Sequence, residues 1–222
     1  MEKFMGKTAW VAGANGLIGS HLVSLLNQHP AYERVVAFVR SPSSASWAKL
    51  PKVEQWPVNY RELSAPEPKK VDDIFCALGS TTRKTPNKEA YYEIDVTFPL
   101  NVARLGLQNG ARYYGLVSAH GAKVKAFSYY MQMKGELEHQ LLELNYPHIA
   151  LARPSLLLGD RGEFRPAEKL GEVFMGILPG NLKAIQAHDV AAALILEANR
   201  SKRGTQVLNS AMMQGAIKQL EK

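Results

Sequence analysis

Tyr130 and Lys134 stand four positions apart in the run Tyr130-Met131-Gln132-Met133-Lys134, a spacing that puts a phenol and an ammonium on one face of a helix. A lysine charge beside a tyrosine stabilises the phenolate, so the pair suits proton donation and acceptance near neutral pH. The ammonium can also hydrogen-bond the hydroxyls of a ribose. Ser118 lies 12 positions before Tyr130. Its hydroxyl can polarise a substrate carbonyl or, alternatively, satisfy local backbone at a strand end. The Tyr–Lys spacing is a weak signal by itself in a chain with nine tyrosines, and its weight depends on where the fold sets the pair.

A second group with chemical use is Gly13-Ala14-Asn15-Gly16-Leu17-Ile18-Gly19, which directly follows the apolar run 8–12 and opens a segment of helical period. Gly13 permits a tight turn, Gly16 lets the backbone approach a pyrophosphate, and Gly19 lets helix and strand pack closely. The pyrophosphate then meets free N–H groups at the positive end of the helix. The first glycine interval is one residue longer than in the common dinucleotide fingerprint. Near the end of the next apolar run an NAD enzyme places Asp or Glu for the ribose hydroxyls. This chain has Arg40-Ser41 there. A guanidinium can pair bidentately with a 2′-phosphate, so NADP(H) is expected ahead of NAD(H); the alternative for Arg40 is an exposed surface residue.

The elements that must position these groups are read from the hydrophobic period. Strands are expected at 8–12, 35–39, 53–60, 73–78, 113–118 and 149–153, and helices at 17–28, 87–109 and 127–144. Pro30 stops the first helix, Gly110 ends the second in the C′ place, and Pro57 puts the third strand near a sheet edge. The β-α-β-α alternation calls for a parallel sheet with right-handed crossovers, a doubly wound α/β fold of the Rossmann type. It puts Ser118, Tyr130 and the glycine turn at the carboxyl edge of the sheet, where such folds bind ligands. After Pro154 the pattern loosens through a Gly- and Pro-punctuated stretch to Gly180, then a helix at 188–199, a short strand at 207–209 and a closing helix at 211–220. The expected organisation is one domain over 1–222, with a core of about 1–154 and a small C-terminal, substrate-side lobe of about 155–222.

Composition narrows the function classes. The chain has 222 residues, 46% of them hydrophobic, and one cysteine, Cys76, inside an apolar run. An internal disulfide is excluded, Cys76 reads as a small core residue, and a reducing, cytoplasmic setting is expected. Mean hydropathy is −0.19, and no apolar run reaches the roughly 18 residues of a membrane span. The N-terminal run 8–12 is too short for a signal peptide. The 27 Lys and Arg give a net charge of +7 but are scattered, which suits a multiply charged phosphate ligand better than nucleic acid. Lys123 and Lys125, ahead of Tyr130, read as solvated loop charge, with attraction of an anionic substrate as the alternative.

Beyond the glycine turn and the Tyr–Lys pair stand Cys76-Ala77-Leu78-Gly79-Ser80-Thr81-Thr82-Arg83, the run 116–122 (LVSAHGA), Lys134-Gly135-Glu136 and Arg153-Pro154-Ser155-Leu156-Leu157-Leu158-Gly159-Asp160-Arg161. Together these residues resemble the short-chain dehydrogenase/reductase superfamily. They are most similar to its small atypical branch of Tat-interacting tumour-suppressor-like proteins and bacterial epimerase-like relatives. The resemblance implies NADP(H) binding and catalytic roles for Ser118, Tyr130 and Lys134. It also implies that Leu78, Gly79 and Ser80 line the nucleotide and that Arg153-Pro154 leads the backbone past the nicotinamide. An oxidoreductase or epimerase acting on a small carbonyl, alcohol or sugar-nucleotide-like substrate follows. The alternative is a regulatory protein that binds NADP(H) without turnover. Relatives often dimerise through the two long helices, so a monomer or homodimer is expected. Three departures stand out. Ala119 replaces a second, often catalytic serine, with His120 as a substitute donor. Asn59 replaces an Asp that holds the adenine amine, and its amide oxygen can still accept that bond. Asp95 replaces an Asn that holds a proton-relay water.

Overall fold

Strand residues alternate between two apolar layers. In the computed structural model, which describes residues 6–64, 70–81, 84–158, 184–201 and 203–221, β1 (Lys7–Ala12) turns Ala9 and Val11 into one buried cluster and Trp10 and Ala12 into another. The next strand, β2 (Tyr32–Val39), does the same with Val35, Ala37 and Val39 against Val36 and Phe38. Both faces are buried, which is why these strands read as unbroken apolar runs. With β3 (Val53–Pro57), β4 (Asp73–Cys76), β5 (Tyr113–Val117), β6 (His148–Arg153) and β9 (Gly204–Asn209) they form a seven-stranded sheet in the order β3-β2-β1-β4-β5-β6-β9. Every neighbouring pair is parallel. A two-stranded pairing of β7 (Leu157–Leu158) with β8 (Ile185–Gln186) lies apart from it. The strand order reverses between β1 and β4, and the crevice outside their carboxyl ends is the place where such folds bind ligands.

α1 (Leu17–Gln28) ends before Pro30, which forces extended backbone at His29. It packs one face of the sheet together with a later helix, Ala187–Ala198. The expected helix 87–109 is present but not uniform: α2 (Lys88–Tyr92) runs into a π-turn at Glu93–Thr97, and α3 (Phe98–Gln108) follows. Pro99, at the start of α3, is the cause. It has no N–H for the carbonyl of Asp95, and its ring would press on that carbonyl in a regular α-helix. Asn87 caps the start by accepting from the Ala90 N–H at 2.8 Å. Gly110, at φ +89°, ends it in a Schellman turn, with Ala111 N–H bonded to the Gly106 carbonyl.

Several boundaries differ from expectation, β2 and β9 among them, each starting three residues early. The third strand stops at Pro57, and residues 60–62 form a 3-10 turn. The fourth strand stops at Cys76. Helix α4 (Tyr129–Glu143) starts two residues late because Ser128 is its cap, accepting from the Met131 N–H. The closing helix is two short ones, α6 (Ser210–Met213) and α7 (Ala216–Leu220), divided at Gly215 with φ +76°. The remaining helix of the tail, α5 (Ala187–Ala198), is buried on most of its surface. In the tail, β9 and α5 are thus continuous with the main sheet and core. The punctuated stretch up to Gly180 and the residues Thr82, Arg83, Gly159, Asp160 and Arg161 lie outside the described residues. Among the described residues no helix is long and apolar enough to cross a membrane.

Candidate functional site

The glycine turn after β1 is shaped by two contacts that leave no room for side chains. Gly13 has φ +87°, and a Cβ there would stand 2.6 Å from the Ala77 carbonyl oxygen. A Cβ on Gly19 would stand 2.0 Å from the Gly13 carbonyl oxygen. The turn is therefore pressed between the exit of β4 and the first turn of α1. Gly16 caps α1 without any side chain, so the first-turn N–H groups keep their capacity for an anion. Leu17 and Gly19 are in that turn and offer backbone; Ile18 is buried in the core at 4% exposure.

A cleft of about 730 Å³ opens from this turn. Ala14, Asn15 and Gly16 form its floor, Arg40 and Ser41 its wall on the β2 side, and Leu78, Gly79 and Ser80 its wall on the β4 side. Arg40 is exposed and has no hydrogen-bond or ion-pair partner among the described residues. Asn59 also lines the cleft, but its amide oxygen, expected to receive the adenine amine, already accepts from the Arg61 N–H at 3.1 Å. It caps the 3-10 turn, with its second lone pair left over. Arg61 in turn reaches across to Glu93 in a two-bond ion pair at 2.7 and 3.1 Å.

The tyrosine and lysine expected to do acid–base chemistry stand on α4. Tyr130, in its first turn, is 37% exposed. Lys134 is buried, with Nζ 5.9 Å from the centre of the Tyr130 ring and 2.9 Å from Oδ1 of Asp95. Asp95, in the π-turn, also accepts from the Ser80 N–H at 2.8 Å. Burial pushes the Lys134 ammonium down, but the Asp95 carboxylate, then Tyr130, outweigh it, and the net direction is up. The two halves of the site meet at Gly79, whose Cβ would lie 3.7 Å from the Lys134 Nζ.

Ser118 is not part of that meeting point. Its buried hydroxyl donates to Oε1 of Glu138 at 2.5 Å. Glu138 also accepts from Nε of Arg153 at 2.9 Å and from its Nη2. The structure therefore makes Ser118 and Arg153 partners of Glu138, tying the ends of β5 and β6 to α4. Pro154 is buried, and its carbonyl accepts from the His120 N–H at 2.9 Å, so His120 is held by backbone. Ala119 is buried, and Lys123 and Lys125 are exposed. Cys76 is fully buried, and burial pushes its thiol up, as a core residue requires. No metal-binding cluster occurs among the described residues.

Glu138 has a sequence signal: Tyr130, Lys134 and Glu138 recur every four positions along one face of α4. Glu138→Ala leaves the Arg153 guanidinium and Ser118 hydroxyl unpartnered. It should cost about 2–3 kcal/mol, the low side for a buried pair because Arg153 is partly exposed. Thermal unfolding should show a midpoint lower by roughly 5–10 °C; a midpoint within about 1 °C of wild type would remove Glu138 from the list of structural anchors.

Comparison with known proteins gives a consistent picture. The profile of the NAD dependent epimerase/dehydratase family matches residues 9–172. The chain is 31% identical over 179 residues to Protein HTATIP2 of Rattus norvegicus, covering 80% of this chain and 74% of that protein. It is 31% identical over 206 residues to the mitochondrial protein FMP52 of Candida albicans, covering 89% and 90% respectively. Among solved structures, MoeE5 in complex with UDP-glucuronic acid and NAD superposes with a TM-score of 0.71 at 20% identity, over 91% of this chain and 75% of that one. A UDP-N-acetylglucosamine 4-epimerase from Methanobrevibacter ruminantium M1 superposes with a TM-score of 0.69 at 17% identity, over 92% and 76%.

Proposed function

The chain belongs to the NAD-dependent epimerase/dehydratase family, and from that premise we propose that it is an NADP(H)-dependent oxidoreductase or epimerase. The substrate is a small carbonyl, alcohol or sugar-nucleotide-like molecule, with Tyr130 as acid and base. The observation that carries this reading is the juxtaposition at Gly79, where the cleft wall lies directly over Lys134, one turn of α4 from Tyr130.

The residues present fit a dinucleotide. The cradle at Gly13 and Gly19 is one that a Cβ would fill, and α1 starts with uncapped N–H groups suited to a pyrophosphate. When bound, the nicotinamide supplies hydride donation and acceptance. Arg40 pairs the 2′-phosphate with Ser41 beside it, Lys134 supplies a fixed positive charge behind the Gly79 wall on the ribose side, and Tyr130 moves the proton at the substrate oxygen. With the Ser118 hydroxyl engaged by Glu138, polarisation of that oxygen falls to Tyr130. The same engagement, together with Ala119, favours a second reading in which the protein holds NADP(H) for a regulatory purpose and does not turn it over.

Titration with NADPH and NADH tests the nucleotide reading. Arg40→Ala should weaken NADPH by about ten- to a hundredfold, the worth of a hydrogen bond to a charged group, and leave NADH nearly unchanged. Equal loss for both nucleotides would sink the 2′-phosphate assignment. A panel of aldehydes, ketones and sugar nucleotides, followed by NADPH absorbance, separates the two readings. Tight NADPH binding with no turnover on any member favours the regulatory one.

A further inference from the structure

Asp95 is fully buried, and each of its carboxylate oxygens is committed to a different wall of the site. Oδ1 lies 2.9 Å from the Lys134 Nζ, and Oδ2 accepts from the Ser80 N–H at 2.8 Å. A Cβ on Gly79 would stand 3.3 Å from Oδ1. Only the backbone of Gly79 therefore separates this ion pair from the cleft. The side chain is aimed there by the π-turn at Glu93–Thr97, which packs against α4. Lys134 has no other hydrogen-bond or ion-pair partner among the described residues. The groups that face it are Asp95 from the π-turn, Tyr130 one turn earlier on its own helix, and the Cys76 thiol from β4.

We propose that Asp95 is a positioning residue: it clamps Lys134 as a fixed cation beneath the Gly79–Ser80 backbone and makes the nucleotide wall and the acid–base helix one rigid unit. A buried ammonium without a counter-charge loses its proton at a lower pH than an exposed one. The ammonium held by Asp95 keeps its proton, and its direction from the ordinary lysine value is upward despite burial. The charge available to Tyr130 and to a ribose is then constant across neutral and mildly alkaline pH. The position of the charge is also constant, because the same carboxylate is tied to the Ser80 N–H. One arm of the test rests on the nucleotide reading above, and the other does not.

The independent arm follows the Lys134 side-chain carbon resonance from pH 7 to 12 in the nucleotide-free protein, with the midpoint read against the ordinary lysine value of about 10.4. In wild type its midpoint should lie above the ordinary lysine range. Asp95→Asn keeps an acceptor for the Ser80 N–H and turns an uncharged donor NH2 toward Lys134 in place of the carboxylate oxygen, and its midpoint should move below that range. A wild-type midpoint below the ordinary range overturns the proposal without any variant, and so does an Asp95→Asn midpoint equal to that of wild type. In the second arm, NADPH and NADH affinities of wild type should stay flat from pH 7 to 9.5. In Asp95→Asn they should weaken with rising pH, by up to about tenfold per unit above the lowered Lys134 midpoint. Asp95→Glu, which restores the charge, should restore the flat profile. A merely structural role would lower affinity at every pH and leave the slope unchanged, which overturns the proposal. Absence of nucleotide binding in wild type would defeat the functional reading while leaving the resonance titration decisive here.

Discussion

Gly19→Ala should abolish dinucleotide binding and lower stability together. The added Cβ would stand 2.0 Å from the Gly13 carbonyl oxygen and 2.7 Å from its carbon. Both are backbone atoms, so no rotamer change relieves the contact, and the first turn of α1 must move away from the glycine turn. Overpacking of this kind costs about 1–3 kcal/mol, and each kcal/mol lowers the unfolding midpoint of a chain this size by about 2–4 °C. The displaced helix terminus no longer aims its N–H groups at the pyrophosphate, and NADPH affinity should fall by at least about a hundredfold, the loss of two or more charge-assisted hydrogen bonds. Gly16→Ala is the matched control. Its Cβ would meet the Gly13 oxygen at 3.1 Å, a contact that a small shift relieves. Stability should change little while binding is lost, because the methyl occupies the place where the pyrophosphate approaches. Full NADPH affinity in Gly19→Ala would show that the turn is not the nucleotide cradle.

Tyr130→Phe should remove turnover and spare everything else. The phenol is more than a third exposed and makes no hydrogen bond among the described residues, so its removal leaves no buried partner behind. General acid–base groups contribute about 10²–10⁴-fold, and kcat on any active substrate should fall by that factor with NADPH affinity and the unfolding midpoint unchanged. If wild type and Tyr130→Phe give the same background rate across a broad panel while both bind NADPH, the protein is not an enzyme of this type.

The parallel sheet was legible because strands buried on both faces carry long apolar runs, as in β1, β2 and β6, and the helices between them carry a 3.6-residue period. Pro57 marked the edge position of β3, and Gly110 marked the end of α3 for the local reason that left-handed backbone suits glycine. Side-chain commitments across elements were not legible. Nothing at Ser118 shows that its hydroxyl turns toward Glu138, 20 residues on, because that contact depends on how α4 lies over β5. Asn59 lines the cleft, and that its amide oxygen also serves the N–H two residues later is a local commitment its residue type does not reveal. The last strand extends three residues ahead of its expected start because β9 is a sheet edge with an exposed amino-terminal half, which carries little hydrophobic signature.

The π-turn carries a signal that period counting overlooks: a proline in the middle of a long helical pattern. By admitting one residue more than an α-turn holds, it acts as a reading-frame correction within a helix. The extra residue is taken up in the wide turn, so the two flanks keep the phase of one continuous helix. Deleting one residue from 93–97 can close the turn to an α-turn and leave both flanks facing as they do, at the cost of a proline ring pressed on the carbonyl four residues back. Deleting one from the regular turns of α3 would instead rotate one flank by roughly 100°, the angle of a single helical residue. Length is under looser constraint in this segment than in the helices on either side.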